Sequence, residues 1–440
     1  MATSTPSRSL EFGALSRVES DFSAMARAVR GSIILGIAAE VRKLQASGKP
    51  LCNLTVGDFD SRQFPIPGSL RERIIEAVRA GETNYPPSDG ILPLREAVRE
   101  YVSREHGIEY PLTSVLITAG GRPSIYAIFR CLVDAGDRVL YSVPSWNNDY
   151  YAEMVGAEKL SVRASPAQGF QPTLKDLTPH LRQATLLCLC SPGNPTGTAI
   201  ETGALRDILS AVALENVRRG ERGGGQRPLF VLYDLMYGSL IQPGVEQIHP
   251  LVLVPEAAPW VVIVDGISKA FAATGLRVGW TLGPPGVIEP MKDFLGHVGA
   301  WAPRPEQVAT AGFLREPAAI AEFRETINRE LGLRLNEIHH RLTELKDHGF
   351  PVDSVLPQGA MYVSMRLDLV GRRVGGERVT NNETLRRLLL AGPGLAAVPF
   401  QAFGVSEDTG WFRLAVGAVS LDDIHTLWPR LRRFLEGVAD

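Results

Sequence analysis

Between residues 51 and 283 the chain repeats one pattern: a short apolar run of strand length, a turn of glycine, proline or polar residues, then a stretch of helical periodicity. The runs at Val115–Thr118, 138–142, Leu186–Cys190, 230–233 and 260–264 are of this kind. Their apolar residues are mostly continuous rather than alternating, as in strands buried on both faces. Helical spacing at about 121–132 and 203–218 separates some of them. The alternation predicts an α/β fold, a mostly parallel sheet sandwiched by helices, with chemistry gathered at the strand carboxyl ends. Beyond it, helical patterns at about 305–314 and 318–348 and a turn into a strand at 357–363 predict a smaller α+β domain. A chain of 440 residues, 45% hydrophobic, exceeds one core and can fill two. The expected division is 1–50 as an N-terminal arm and part of the small domain, 51–300 as the large domain, and 301–440 as the C-terminal small domain.

Composition removes several function classes. A net charge of −2 and a pI near 6.5 point away from nucleic acid and from anionic membrane. No apolar run approaches the roughly twenty residues of a membrane span, and residues 1–8 lack the apolar core of a secretory signal, so a cytoplasmic protein is expected. Cys52, Cys131, Cys188 and Cys190 contain no C-x-x-C pair, and Cys188 and Cys190 alternate on one strand as small core residues. The histidines form no ligand spacing, so no metal is expected. The glycine-rich, basic segment 219–227 lies before a strand, away from the strand carboxyl ends, and reads as a surface connection.

Five places carry chemistry. Asp265 to Trp280 reads D-G-I-S-K-A-F-A-A-T-G-L-R-V-G-W, with Lys269 where the preceding strand should end, Ser268 before it and Arg277 two helical turns on. A desolvated lysine has a lowered pKa and can form a Schiff base, and a nearby arginine can hold a phosphate; a rim lysine with its ammonium in water is the ordinary alternative. Gly120, Gly121 and Arg122 stand between a strand and a helix, where bare N–H groups and the helix dipole favour an anion. Asp234 ends another strand; a carboxylate there needs a partner such as a protonated ring nitrogen, or it caps a helix. Arg413 interrupts the apolar W-F-R-L-A-V strand and calls for a planar anion, either a bound carboxylate or an internal salt bridge. Trp146, at the end of the 138–142 strand, can stack on a flat ring or fill core.

The S-K-A-F-A-A-T-G-L-R-V-G-W run and the S-P-G-N-P-T-G string at 191–197 resemble the fold type I pyridoxal-phosphate enzymes, in particular the aspartate-aminotransferase-like class I/II aminotransferases. Motifs in that family's order extend from about Asn53 to Arg413. The resemblance implies pyridoxal 5'-phosphate on Lys269, with Gly120, Gly121, Arg122, Ser268 and Arg277 at its phosphate and Trp146 on its ring. Asp234 would pair with the ring nitrogen, and Asn194 and Tyr237 would donate to the phenolic oxygen. Arg413 would take the substrate α-carboxylate, with Gly57 and Asn194 beside it. Tyr85, in T-N-Y-P-P-S-D-G, would reach the cofactor phosphate of a partner subunit, which implies a homodimer with composite active sites; packing on its own loop is the alternative.

The reaction so implied exchanges an amino group between an amino acid and a 2-oxo acid, with Lys269, Asp234 and Tyr237 catalytic. A lyase or synthase on the same scaffold and a non-catalytic amino-acid-binding domain are the other readings; the short N-terminal segment leaves no room for the helix-turn-helix such binding domains usually carry. Aspartate is the family-level expectation for the donor, and Arg62, Arg304 and His297 are candidate cations for a distal carboxylate. Some positions depart from the family pattern. N-L-T-V-G-D-F-D has Phe59 where relatives have proline, Gly266 replaces a serine, Phe400 replaces a glycine and would narrow the site, and segment 296–305 carries Trp301 and Arg304.

Overall fold

The computed structural model describes residues 22–46, 48–221 and 225–439. The expected apolar runs join in a seven-stranded sheet ordered Val115–Thr118, Gly279–Leu282, Val261–Gly266, Phe230–Asp234, Leu186–Cys190, Arg138–Val143, Glu158–Arg163. Every pairing is parallel except those of Gly279–Leu282, which runs against both neighbours. Only the four-residue helix Ile267–Ala270 precedes that strand, too little for the crossover that a parallel return requires. The mostly parallel α/β sheet is therefore as the sequence predicts.

Both faces of the sheet are buried. Cys188, Leu232, Val262 and Val264 point into one core with the helix Gly121–Leu132, while Leu187, Tyr233, Val261 and Ile263 point into another with Thr202–Glu221. A second, antiparallel sheet is built from Val398–Pro399, Trp411–Ala415, Tyr362–Leu367 and Val352–Ser354. The 31-residue helix Pro317–Asp347 spans the two bodies: Ile320 packs with the large-sheet core, and Ile327 to Leu345 pack with the small one. Arg304–Phe313 lies on the helices Gly68–Arg79 and Leu92–His106, so the packing changes inside the long helix rather than at residue 300.

Two local readings need correction. The strand expected over 51–56 is regular only at Cys52–Asn53, paired with Leu395–Ala396. Beyond it the Thr55 carbonyl accepts from Arg413 Nη2 at 2.6 Å, which takes the chain out of the ladder and into the site. The segment 219–227 is not a loop throughout; Arg219, Gly220 and Glu221 finish the helix Thr202–Glu221, and residues 222–224 lie outside the described residues. Arg219 is buried, donates to the carbonyls of Leu181, Ala184 and Arg227, and pairs with Glu215 at 2.8 Å. No helix among the described residues is long and apolar enough to cross a membrane.

The turn at 358–360 and the strand after it tie the second sheet to the first. Gln358 and Gly359 donate their N–H groups to the Gly197 carbonyl at 2.7 and 3.0 Å, Ala360 N donates to Leu240 O at 2.8 Å, and Ser364 Oγ donates to Thr196 O at 3.1 Å. Gly197 has φ +72°, and a side chain there would collide with the Tyr362 carbonyl. Replacing Arg219 by alanine strips three carbonyls, two of them buried, of a donor and leaves Glu215 with only Arg218. The substitution is expected to cost about 3 kcal/mol of stability, read as a lower denaturation midpoint with the far-UV circular dichroism of the folded protein unchanged.

Candidate active site

Four strand ends and the turns after them converge on Lys269. Its Nζ donates to the Gly57 carbonyl at 2.6 Å instead of reaching bulk water. Burial lowers the ammonium from the usual lysine range to about 8; Asp58 opposes the shift, and the charges of Arg413, Arg122 and Arg277 add to it. Lys269 is therefore not a rim lysine. A Cβ on Gly57 would meet Tyr362 Oη at 2.8 Å, so only glycine allows this approach.

Behind the lysine lies a chain of polar groups. Tyr237 Oη and Tyr362 Oη are 2.7 Å apart, Asn194 Nδ2 donates to Tyr237 Oη at 3.4 Å, and Asn194 Oδ1 accepts from Arg413 Nη1 at 3.0 Å. The Arg413 guanidinium is buried between the rings of Tyr362 and Phe403, at 4.7 and 5.0 Å from their centroids, and its Nε has no partner. The groups acting on its charge are tyrosine hydroxyls, with no carboxylate among the described residues. The internal salt bridge open in the sequence is thus absent. Asp234 accepts from Met236 N at 3.0 Å, and a turn rather than a helix follows it. Burial raises its carboxyl to about 6, against the opposing bonds from Met236 and the Cys190 thiol, so a buried cation opposite it would restore the ionised form. Trp146, Asn194 and Asp234 line one cavity together with Cys188, Cys190 and Gln171.

The remaining residues form an anion corner. Arg277 adopts a left-handed backbone at φ 56° and points Nη1 to Thr274 O at 2.7 Å and Nη2 to Ala119 O at 2.8 Å. Its guanidinium lies directly against Gly120, where any Cβ would run into it, and Gly120 itself has φ +81°. Gly121 begins a twelve-residue helix and has Met236 Cε where its Cβ would be, at 2.6 Å. The Ser268 hydroxyl is buried without a partner. Arg122 is exposed, with its guanidinium over the Trp146 ring at 4.9 Å. Gly266 could not be the family's serine here, because a Cβ would sit 2.7 Å from Gly279 Cα. An orphan hydroxyl, a helix N-terminus and clustered arginines fit a phosphate monoester; the bare Arg413 Nε fits a carboxylate.

Comparison with known proteins agrees. The family profile "Aminotransferase class I and II" matches residues 49–431. The chain belongs to the class I and II aminotransferases. The aspartate aminotransferase of Streptomyces avermitilis is 30% identical over 426 residues, covering 95% of this chain and 97% of that one. A probable aspartate/prephenate aminotransferase of Thermus aquaticus is 31% identical over 392 residues, covering 86% and 91%. The Thermus thermophilus aspartate aminotransferase structure with maleate superposes with a TM-score of 0.82 at 26% identity, over 94% of this chain and 99% of that one. This aminotransferase is accordingly a pyridoxal-phosphate-dependent enzyme.

The aminotransferase places other sequence candidates differently. Tyr85 is 84% exposed and meets Trp301 edge-on at 5.3 Å, while Arg304 pairs with Glu82 at 2.5 Å. Segment 296–305 therefore braces the Tyr85 loop. Arg62 is exposed and paired with Asp60 at 2.6 Å, and His297 is exposed at the end of the helix Pro285–Val298. Phe400 does not narrow the site; it is buried against Phe170, Phe403 and Trp411, and Phe403 is the ring at Arg413. Sequence reading missed Tyr362, Phe403 and the Thr55 carbonyl. For Tyr362 a signal existed, since a tyrosine opening a buried strand needs a partner for its hydroxyl. Gly120→Ala should push Arg277 aside and weaken cofactor retention by tenfold or more, on the order of 1.4 kcal/mol, measured as loss of cofactor absorbance on dialysis from a folded protein.

Proposed function

We propose that the enzyme exchanges the amino group of an L-amino acid with a 2-oxo acid through a Schiff base on Lys269, with Arg413 gripping the substrate α-carboxylate. The buried Arg413, with no acid opposite it among the described residues, carries this reading: a desolvated guanidinium held by neutral groups keeps its charge for a planar anion. Pyridoxal phosphate, when bound, supplies the aldehyde that captures the amine and the electron sink for the pair left at Cα.

The chain's own residues do the rest. Arg277, Arg122, Ser268 and the N–H groups at Gly120 and Gly121 hold the phosphate. Trp146 provides a stacking face, Asp234 holds a proton on the ring nitrogen, and Asn194 and Tyr237 donate to the phenolic oxygen. Lys269 would take the proton from Cα and return it to the carbon on the other side of the amino nitrogen, two bonds away, a task suited to an amine with a pKa of about 8. Tyr85, exposed and braced by Trp301, serves the site of a partner subunit in a cytoplasmic homodimer. Relatives named for aspartate make aspartate with 2-oxoglutarate the first pair to test, although Arg62 and Arg304 already have acid partners.

Arg413→Ala should lower kcat/KM by about 100- to 1,000-fold, or about 3 to 4 kcal/mol, with the cofactor spectrum retained; an unchanged kcat/KM would overturn the assignment. Mixing the loaded enzyme with single amino acids should give a 2-oxo acid and the amine form of the cofactor, whereas ammonia release would indicate a lyase. Sedimentation should give twice the 47.9 kDa chain mass.

A further inference from the structure

Three successive residues, Gly57, Asp58 and Phe59, all address Lys269. The Gly57 carbonyl accepts from Nζ at 2.6 Å, and Nζ stands 5.6 Å from the centroid of the Phe59 ring. Among the described residues, Asp58 is the one negative charge acting on the ammonium, against Arg413, Arg122 and Arg277. Asp58 is itself fixed: its Oδ1 accepts from Thr274 Oγ1 at 2.5 Å and from Phe59 N at 2.8 Å. Thr274 belongs to the segment that follows Lys269, and its carbonyl accepts from Arg277, so the carboxylate ties the lysine's own segment to the Gly57 loop. Phe59 is braced edge-to-face on Phe64 at 5.4 Å. Phe59 stands where the family resemblance leads one to expect proline, which has no π face to offer a cation.

We propose that Asp58 and Phe59 are positioning residues for Lys269, holding its free ammonium against the Gly57 carbonyl and so setting when it gives up or takes a proton. The proposal rests on Lys269 as the proton carrier put forward above. A lysine released among three arginines would lose its proton too readily to return it to substrate. One carboxylate and one ring face offset that repulsion without forming a tight ion pair that would trap the proton. The other polar groups nearby, Tyr237 and Tyr362, are buried phenols held above the usual tyrosine range, with burial the main cause, and they stay neutral through the range in which Lys269 titrates. The buried carboxyl of Asp234 faces the cofactor cavity with Cys190.

The test is made on the full-length enzyme freed of cofactor. Labelling of Lys269 by trinitrobenzenesulfonate is followed against pH by peptide mass, with the exposed Lys175 as internal control. Asp58→Asn should lower the midpoint at Lys269 by about one pH unit, Phe59→Leu should lower it by less, and Asp58→Glu should restore it. Thr274→Val keeps the carboxylate but cuts its tether, so it should shift the midpoint in the same direction as Asp58→Asn and serves if that variant does not fold. A midpoint unmoved in Asp58→Asn or, failing its folding, in Thr274→Val, or a shift shared by Lys175, overturns the proposal. Because the measurement needs no turnover, a failed transamination assay beside a shifted midpoint would overturn the proposed reaction and leave this device standing.

Discussion

Positive charge concentrated in one cleft is the constraint on which the rest of this structure depends. Arg122, Arg277 and Arg413 all bear on Lys269, and among the described residues Asp58 alone acts on it with the opposite sign. Folding gains nothing from such a cluster, since like charges in a desolvated cleft repel. It is held by neutral dipoles: backbone carbonyls of Thr55, Ala119 and Thr274 at the arginines, an amide at Asn194, and aromatic rings beneath the guanidinium of Arg413. Dipoles fix the direction of each cation without neutralising it, so the charge stays available to phosphate and carboxylate.

The sheet order sets where these groups can be. Lys269, Asp234, Asn194 and Trp146 follow neighbouring parallel strands and come to one edge because parallel strands share a carboxyl end. Arg277 arrives by a different route, on the turn before the single antiparallel strand. Gly266 and Gly279 lie at a matched pair in that ladder, too close for a side chain. The lysine turn and the arginine turn are thus fixed to each other through backbone alone.

Much of this was legible in the residues. Runs such as Leu186–Cys190 are too short for a helix and are bounded by turn residues, so they read as strands buried on both faces, and the polar or glycine residues after them mark the edge where chemistry collects. For side chains whose role depends on a distant partner, the residues showed at most that a partner was needed, never which one. Tyr362 looked like one more residue of a strand, and it matters because folding sets its hydroxyl beside that of Tyr237, 125 positions away. Phe400 and Phe403 lie on one short helical turn, and nothing local says which ring turns to Arg413. Arg219 sat in a basic, glycine-rich stretch, and its burial comes from carbonyls at Leu181 and Ala184 that the sequence does not place near it.

The turn at Gln358–Ala360 has a mechanical meaning. Backbone hydrogen bonds from this one turn reach two loops of the large sheet, and Tyr362 stands just past it. Main-chain bonds do not depend on which side chains surround them, so Tyr362 inherits its distance from Tyr237 from the backbone of the two loops, and sequence change in the outer parts of the small sheet leaves the pair of hydroxyls where it is.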